Sequence, residues 1–180
     1  GNQVLFTTGA LLGVFVPGGG VTDLDGNVYP TVVFGTGDEW MAANLRVTSY
    51  SNGDPIPYVP ASVDWATTTT GIFTYPDSVQ ANDAVYGKLY NGYAVTDPRG
   101  VCPAGWHLPS VDEWTVLGEY LGGLGVTGGK LKSTGTVQAS NGLWQSPNTG
   151  ATNESGMNAH PAGFLSVNVF GESYASFGTV

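Results

Sequence analysis

Apolar positions recur at helical spacing most clearly at Val111, Trp114, Leu117 and Leu121. That spacing lines up one face of a helix. Ser110 stands where an N-cap belongs, and Glu113, three residues on, completes a capping box. Asp112 and Glu113 fall in the first turn, where the helix dipole favours negative charge. Gly122-Gly123 ends the helix, because glycine accepts the left-handed conformation there. Elsewhere the apolar runs are short and rich in β-branched and aromatic residues, which favours strands. Residues 21–24 and 28–34 flank the turn Asp25-Gly26-Asn27 and read as a hairpin. Pro30 assigns its strand to a sheet edge. A second turn at 35–38 leads into 39–45, where Trp40, Met41 and Leu45 read as core.

Residues 48–83 read as a long loop broken by Pro55, Pro57 and Pro60, either functional or wrapped over the core. Residues 82–95 read as a short strand and then a helix that Gly87 and Gly92 weaken. Residues 122–129 are a glycine-rich turn, and 164–169 a strand. Two apolar runs at 4–6 and 11–16, closed by Pro17-Gly18-Gly19-Gly20, form an N-terminal β arm over residues 1–20. Such an arm packs on the domain, on a neighbouring subunit, or as a terminal strand of the same sheet.

Charge narrows the function classes. Five basic against 14 acidic residues give a net charge of −9. No basic stripe exists to neutralise phosphates, so nucleic acid is disfavoured. An anionic membrane surface is disfavoured for the same reason. Residues 4–16 are apolar but lack basic flanks and are broken by Thr and Gly, so neither a signal peptide nor a membrane-crossing helix is expected. The chain starts at Gly1 and reads as processed or as a piece of something longer. A single cysteine, Cys102, leaves no intrachain disulfide. With only His107 and His160 beside it, no zinc cluster is expected, and neither metal nor cofactor is assigned.

Several stretches carry a family resemblance when taken together and in order: VTDLDGNVYPTVVFG, EWMAANLRVT, NGDPIP, YGKLYNGYAV, RGVCPAGWHLPSVDEWTVLGEYLGG, GGKLKSTG and SPNTGATNESGMNAHPAGF. They cover roughly residues 21–164. The chain resembles the Fibrobacter succinogenes major paralogous domain of many Bacteroidetes surface proteins and lipoproteins. The GWHLPSVDEW element also looks like one found in formylglycine-generating-type domains. The resemblance implies an α+β, C-type-lectin-like fold: two short helices against small twisted antiparallel sheets with long loops. It makes 21–180 the family domain, C-terminally truncated, because members usually continue into further aromatic strands and a second cysteine. Members usually carry Trp where this chain has Gly92, so one packing aromatic is missing. Residues 1–20 lie outside the pattern.

Three functions are open on these grounds. The first is a non-catalytic adhesin or receptor-recognition module, extracellular, on a bacterial cell surface or phage fibre. It would bind a glycan or a host or cell-surface protein through the loops at 50–75 and 140–157. Tyr58, Trp65, Tyr75, Trp144, Asn148 and Asn153 are its candidate contacts, as aromatics and amides in polar loops. The second is a structural virion or fibre component that contacts its own copies, as a homo-oligomer (a trimer fits) or larger assembly through residues 1–20. The third is a formylglycine-generating-type enzyme, which one cysteine without a nearby base does not support. Trp40, Trp106, His107, Ser110, Glu113 and Trp114 are read as structural, with His107 donating to a backbone carbonyl. Asp23 to Asn27 hints at a calcium loop but lacks the terminal glutamate, and reads as a hairpin turn.

Overall fold

A computed structural model of the chain describes residues 15–61, 65–167 and 173–176. The expected arm up to residue 14, with both of its apolar runs but for Phe15 and Val16, lies outside them. So does the end of the expected 164–169 strand. The described residues form nine short strands: β1 (Val16–Pro17), β2 (Val21–Thr22), β3 (Val28–Tyr29), β4 (Thr31–Val33), β5 (Glu39–Met41), β6 (Phe73–Thr74), β7 (Leu89–Tyr90), β8 (Phe164–Val167) and β9 (Ser173–Ser176). They also form α1 (Asp83–Tyr86), α2 (Gly92–Val95), α3 (Val111–Tyr120) and α4 (Leu124–Leu131). All strand pairs are antiparallel, in one three-stranded sheet ordered β1-β4-β5 and three two-stranded ribbons, β2-β3, β6-β7 and β8-β9.

The class is α+β, but the expected arrangement of two short helices does not hold, because four helices are present among the described residues. The unexpected long one is α4, in the stretch read as a glycine-rich turn. Tertiary contacts override its poor propensity. The Thr127 hydroxyl donates to the carbonyls of Gly118 and Gly123, tying α4 to α3. Gly129 is needed there, since a Cβ would come within 2.2 Å of the Gly150 carbonyl oxygen. Residues 82–95 also run in a different order, helix, strand, helix. Asn91 starts the second helix by accepting the Ala94 N–H on its side chain. Pro30 sits between β3 and β4, outside any strand, and its carbonyl accepts the Ala42 N–H.

α3 forms as its sequence dictates. Ser110 Oγ accepts the Glu113 N–H, and Glu113 Oε2 accepts the Ser110 N–H at 2.7 Å, closing the capping box. At the other end Gly122 and Gly123 donate back to the Glu119 and Gly118 carbonyls, the paired bonds of a Schellman stop. Only half of the expected apolar face is buried. Leu117 and Leu121 are sealed in the core, whereas Val111 is 80% exposed and Trp114 43%.

Two apolar clusters make the core. The first joins Val32, Phe34, Trp40 and Ala42 to Leu117, Leu121 and Met157. The second joins Val47, Tyr50, Ile56, Phe73, Ala94 and Val101. The long loop at 48–83 is therefore largely wrapped over the core, as its buried Tyr50, Ile56 and Ile72 require. Residues 44–47 run from one cluster to the other and are fastened to 86–90 by four bonds. Asn44 Nδ2 donates to the Tyr86 carbonyl, Lys88 N–H to Leu45, Lys88 Nζ to Arg46 and the Tyr90 hydroxyl to Val47. Gly87 permits this approach, with φ +69° and no room for a Cβ, which would lie 2.7 Å from the Leu45 carbonyl oxygen. Lys88 is 2% exposed at its side chain, bonds both Asp83 carboxylate oxygens at 2.8 Å, and lies over the Phe73 and Tyr75 rings.

Replacing Lys88 with Met strands the Asp83 carboxylate and the Arg46 carbonyl. The expected cost is about 3 kcal/mol, read as a fall in thermal midpoint of roughly 6–12 °C. The K88M/D83N double variant recovers part of that loss, because the orphaned charge is gone. The Glu113 carboxyl is held down at about 2 by the Ser110 N–H first, then the Ser110 hydroxyl and His107. Its folded value lies below the ordinary 4.5, so its contribution is complete above about pH 4.5 and is lost as pH falls through about 2. Thermal midpoints of wild type and E113Q should therefore converge as pH is lowered across that interval.

Candidate functional site

An open cleft of about 650 Å³ lies where the β4–β5 turn, the residues before α3 and the 157–160 segment meet. Three of the chain's five tryptophans line it. Trp40 is delivered by β5, opposite Val32, and forms the inner wall. Trp114, on the first turns of α3, leans on it with ring centroids 4.6 Å apart and planes at 58°. Trp106 comes from the turn before the helix, where its N–H donates to the Pro103 carbonyl and Gly105 takes φ +83°. Leu108, 46% exposed, adds apolar surface at the rim. Exposed side chains of this size next to a cleft mark an interaction site more often than scattered surface residues do.

Polar groups complete the walls. His107 Nε2 donates to Glu113 Oε1 at 2.7 Å, a carboxylate in place of the expected backbone carbonyl. His160 Nδ1 donates to the Val85 carbonyl at 2.9 Å, which leaves Nε2 to accept from Asn158 Nδ2. Asp38 and Glu39 stand on the sheet side. Cys102 also faces the cleft, half-buried, and burial pushes its thiol up, toward the protonated form. No group of three or more His, Cys, Asp or Glu suited to a metal occurs among the described residues.

None of the residues read from sequence as ligand contacts lines this cleft. Tyr58 and Tyr75 come together, with ring centroids 5.1 Å apart, and both pack on Phe73. Trp144 and Asn148 meet at Ser133. Trp144 is buried, donating from Nε1 to the Ser133 hydroxyl and the Ala159 carbonyl, and Asn148 Nδ2 donates to the carbonyls of Ser133 and Gly135. Asn153 accepts the Asn158 N–H and so shapes the segment that enters the cleft. Trp65 donates to the Val59 carbonyl and lines a second cavity of about 680 Å³ with Tyr93, Gly92 and Phe164. The aspartates of the calcium-like stretch are engaged by the protein itself. Asp23 accepts from Asn27 and Tyr29, and Asp25 from Thr48 and Ser49.

The cleft is thus built from residues that the sequence marks as structural. Trp114 shares a helical stripe with two core leucines, so periodicity alone assigns it to the core. The missed signal is the tripeptide Trp106-His107-Leu108 set against Pro109, which biases Leu108 to extended backbone and so keeps these large side chains out of the helix and its buried stripe.

One family model, described as the Fibrobacter succinogenes major domain, matches residues 35–179. The match starts inside the stretch marked by the motifs and extends beyond residue 164. No curated protein and no solved structure matches the chain. The matched residues hold β5 to β9, all four helices and the whole cleft. With most of its length accounted for in this way, the chain belongs to the Fibrobacter succinogenes major domain family.

Proposed function

We propose that this chain is a non-catalytic ligand-binding module of a bacterial surface protein, and that it takes a glycan in the cleft walled by Trp40, Trp106 and Trp114. The observation that supports this most is the pair of tilted tryptophans, one buried and one open to solvent, at the edge of a cavity large enough for a small saccharide. Sugar rings present one apolar C–H face and a girdle of hydroxyls. The first suits an indole face, and the second suits the carboxylates and amides of Asp38, Asn44 and Asn158.

The reading favours holding over converting. The Cys102 thiol is kept protonated by burial, and Glu113 is engaged with the helix cap and with His107. The surface location rests on family membership. The module's seat is the cleft and not the loops at 50–75 and 140–157, whose aromatics and amides pack mainly against one another and the core.

Titration of the chain with oligosaccharides, followed by tryptophan fluorescence and calorimetry, is expected to show saturable binding. Trp114→Ala is expected to weaken it about tenfold, with a modest fall in thermal midpoint from the lost contact with Trp40. Equal affinity in W114A and wild type would sink the assignment of the cleft.

A further inference from the structure

The chain's charge is distributed so that this cleft has one sign. All five basic side chains lie among the described residues, and each is engaged within the molecule. Arg46 donates to the Val28 carbonyl and covers the Tyr29 ring. Lys88 is sealed against Asp83. Arg99 bonds Asp97 and Asp54 and lies 3.9 Å over the Tyr50 ring. Lys130 pairs with Glu154, and Lys132 donates to the Thr149 carbonyl over Trp144. None of the five lines the cleft, whereas Asp38 and Glu113 do; Glu39 also borders it, but its carboxylate accepts from the Thr31 hydroxyl and the Gly19 N–H. Its two imidazoles each hold a bond to a neighbour, and Glu113 stays ionised well into the acid range, held there by Ser110. An anionic ligand would meet the Asp38 and Glu113 carboxylates and no free cation. A cation would meet those carboxylates and the π-faces of tryptophan, the aromatic residue that attracts cations best.

We infer that the cleft's ligand is a cationic amino sugar, a saccharide with a free ammonium group, whose ring lies on the exposed tryptophan face and whose ammonium is drawn to the Asp38 carboxylate, with the capped Glu113 carboxylate adding to the field. This rests on the reading of the cleft as a glycan seat. A sugar fits the observations better than a bare ammonium head, because the cavity of about 650 Å³ pairs its apolar wall with amide and carboxylate acceptors suited to hydroxyls. Exposed ion pairs and cation–π contacts together bring about tenfold preference over the neutral counterpart.

The test is calorimetric titration of the full chain, in mildly acidic buffer, with a β-linked glucosamine tetramer, its fully N-acetylated form, a glucose tetramer and choline. The expected result is that the free-amine tetramer binds about tenfold tighter than either neutral tetramer. Its affinity should fall as salt is raised from about 0.02 to 0.5 M. Asp38→Asn should lessen both the preference and the salt dependence. Asp38 is exposed in a turn, so the variant is expected to fold, and the salt series on the wild type needs no variant at all. Equal affinity for free-amine and N-acetylated tetramers would overturn the inference while leaving the glycan seat standing. Choline binding as tightly as the amino sugar would overturn the saccharide part. No binding of any of the four would remove the inference and the glycan seat together.

Discussion

Much of this molecule depends on one buried ammonium. Lys88 bonds the Asp83 carboxylate and the Arg46 carbonyl, and its own N–H donates to Leu45. It thereby fixes the strip of chain at 44–47 that passes from one apolar cluster to the other. A desolvated charge is costly unless every donor finds a partner. Here the partners are a carboxylate, a main-chain oxygen and two ring faces, so the cost is offset and the site has one good geometry. Strands of two to four residues supply few ladder bonds. A point that demands a unique arrangement is what lets such short pieces define one fold.

That same strip carries the positioning of the cleft. Residues 43–45 line it, and Trp40 enters from the strand just before. On the other side, α3 is fixed by its cap at Ser110 and by Leu117 and Leu121 in the core, which leaves its first turns to project Trp114 outward. The 157–160 wall is held by main-chain bonds of Ala159 with Leu131, at the end of α4, and with Ser133, and by the indole of Trp144. The three walls therefore meet on the first apolar cluster, through Trp40, through Leu117 and Leu121, and through Met157.

The local signals in the sequence are legible where they are chemical. The capping box at Ser110 and Glu113, the double-glycine stop, and the turns at Asp25-Gly26-Asn27 and 35–38 all describe side-chain or backbone chemistry within a few residues, and all are present. What escaped was decided by distant partners. α4 has too many glycines to be read as a helix, yet it forms because Gly129 must pass against Gly150 and Thr127 must reach α3. The order within 82–95 follows from the fastening at Lys88, which no window of that segment reveals. Trp114 shows the limit of periodicity most plainly. A stripe of apolar residues says which face of a helix is apolar, and not how far along the helix the core continues.

The engagement of every basic side chain also bears on how the chain meets proteases. Enzymes that cut after lysine or arginine need the side chain to enter their pocket and the neighbouring backbone to become extended. Here one such side chain is sealed in the core, three are half-buried, and the exposed one, Arg99, is held in a fork of two aspartates against a tyrosine ring. Trypsin-like cleavage of the folded chain therefore requires local opening at each of these points. That resistance arises from the scarcity and placement of five residues rather than from any added crosslink.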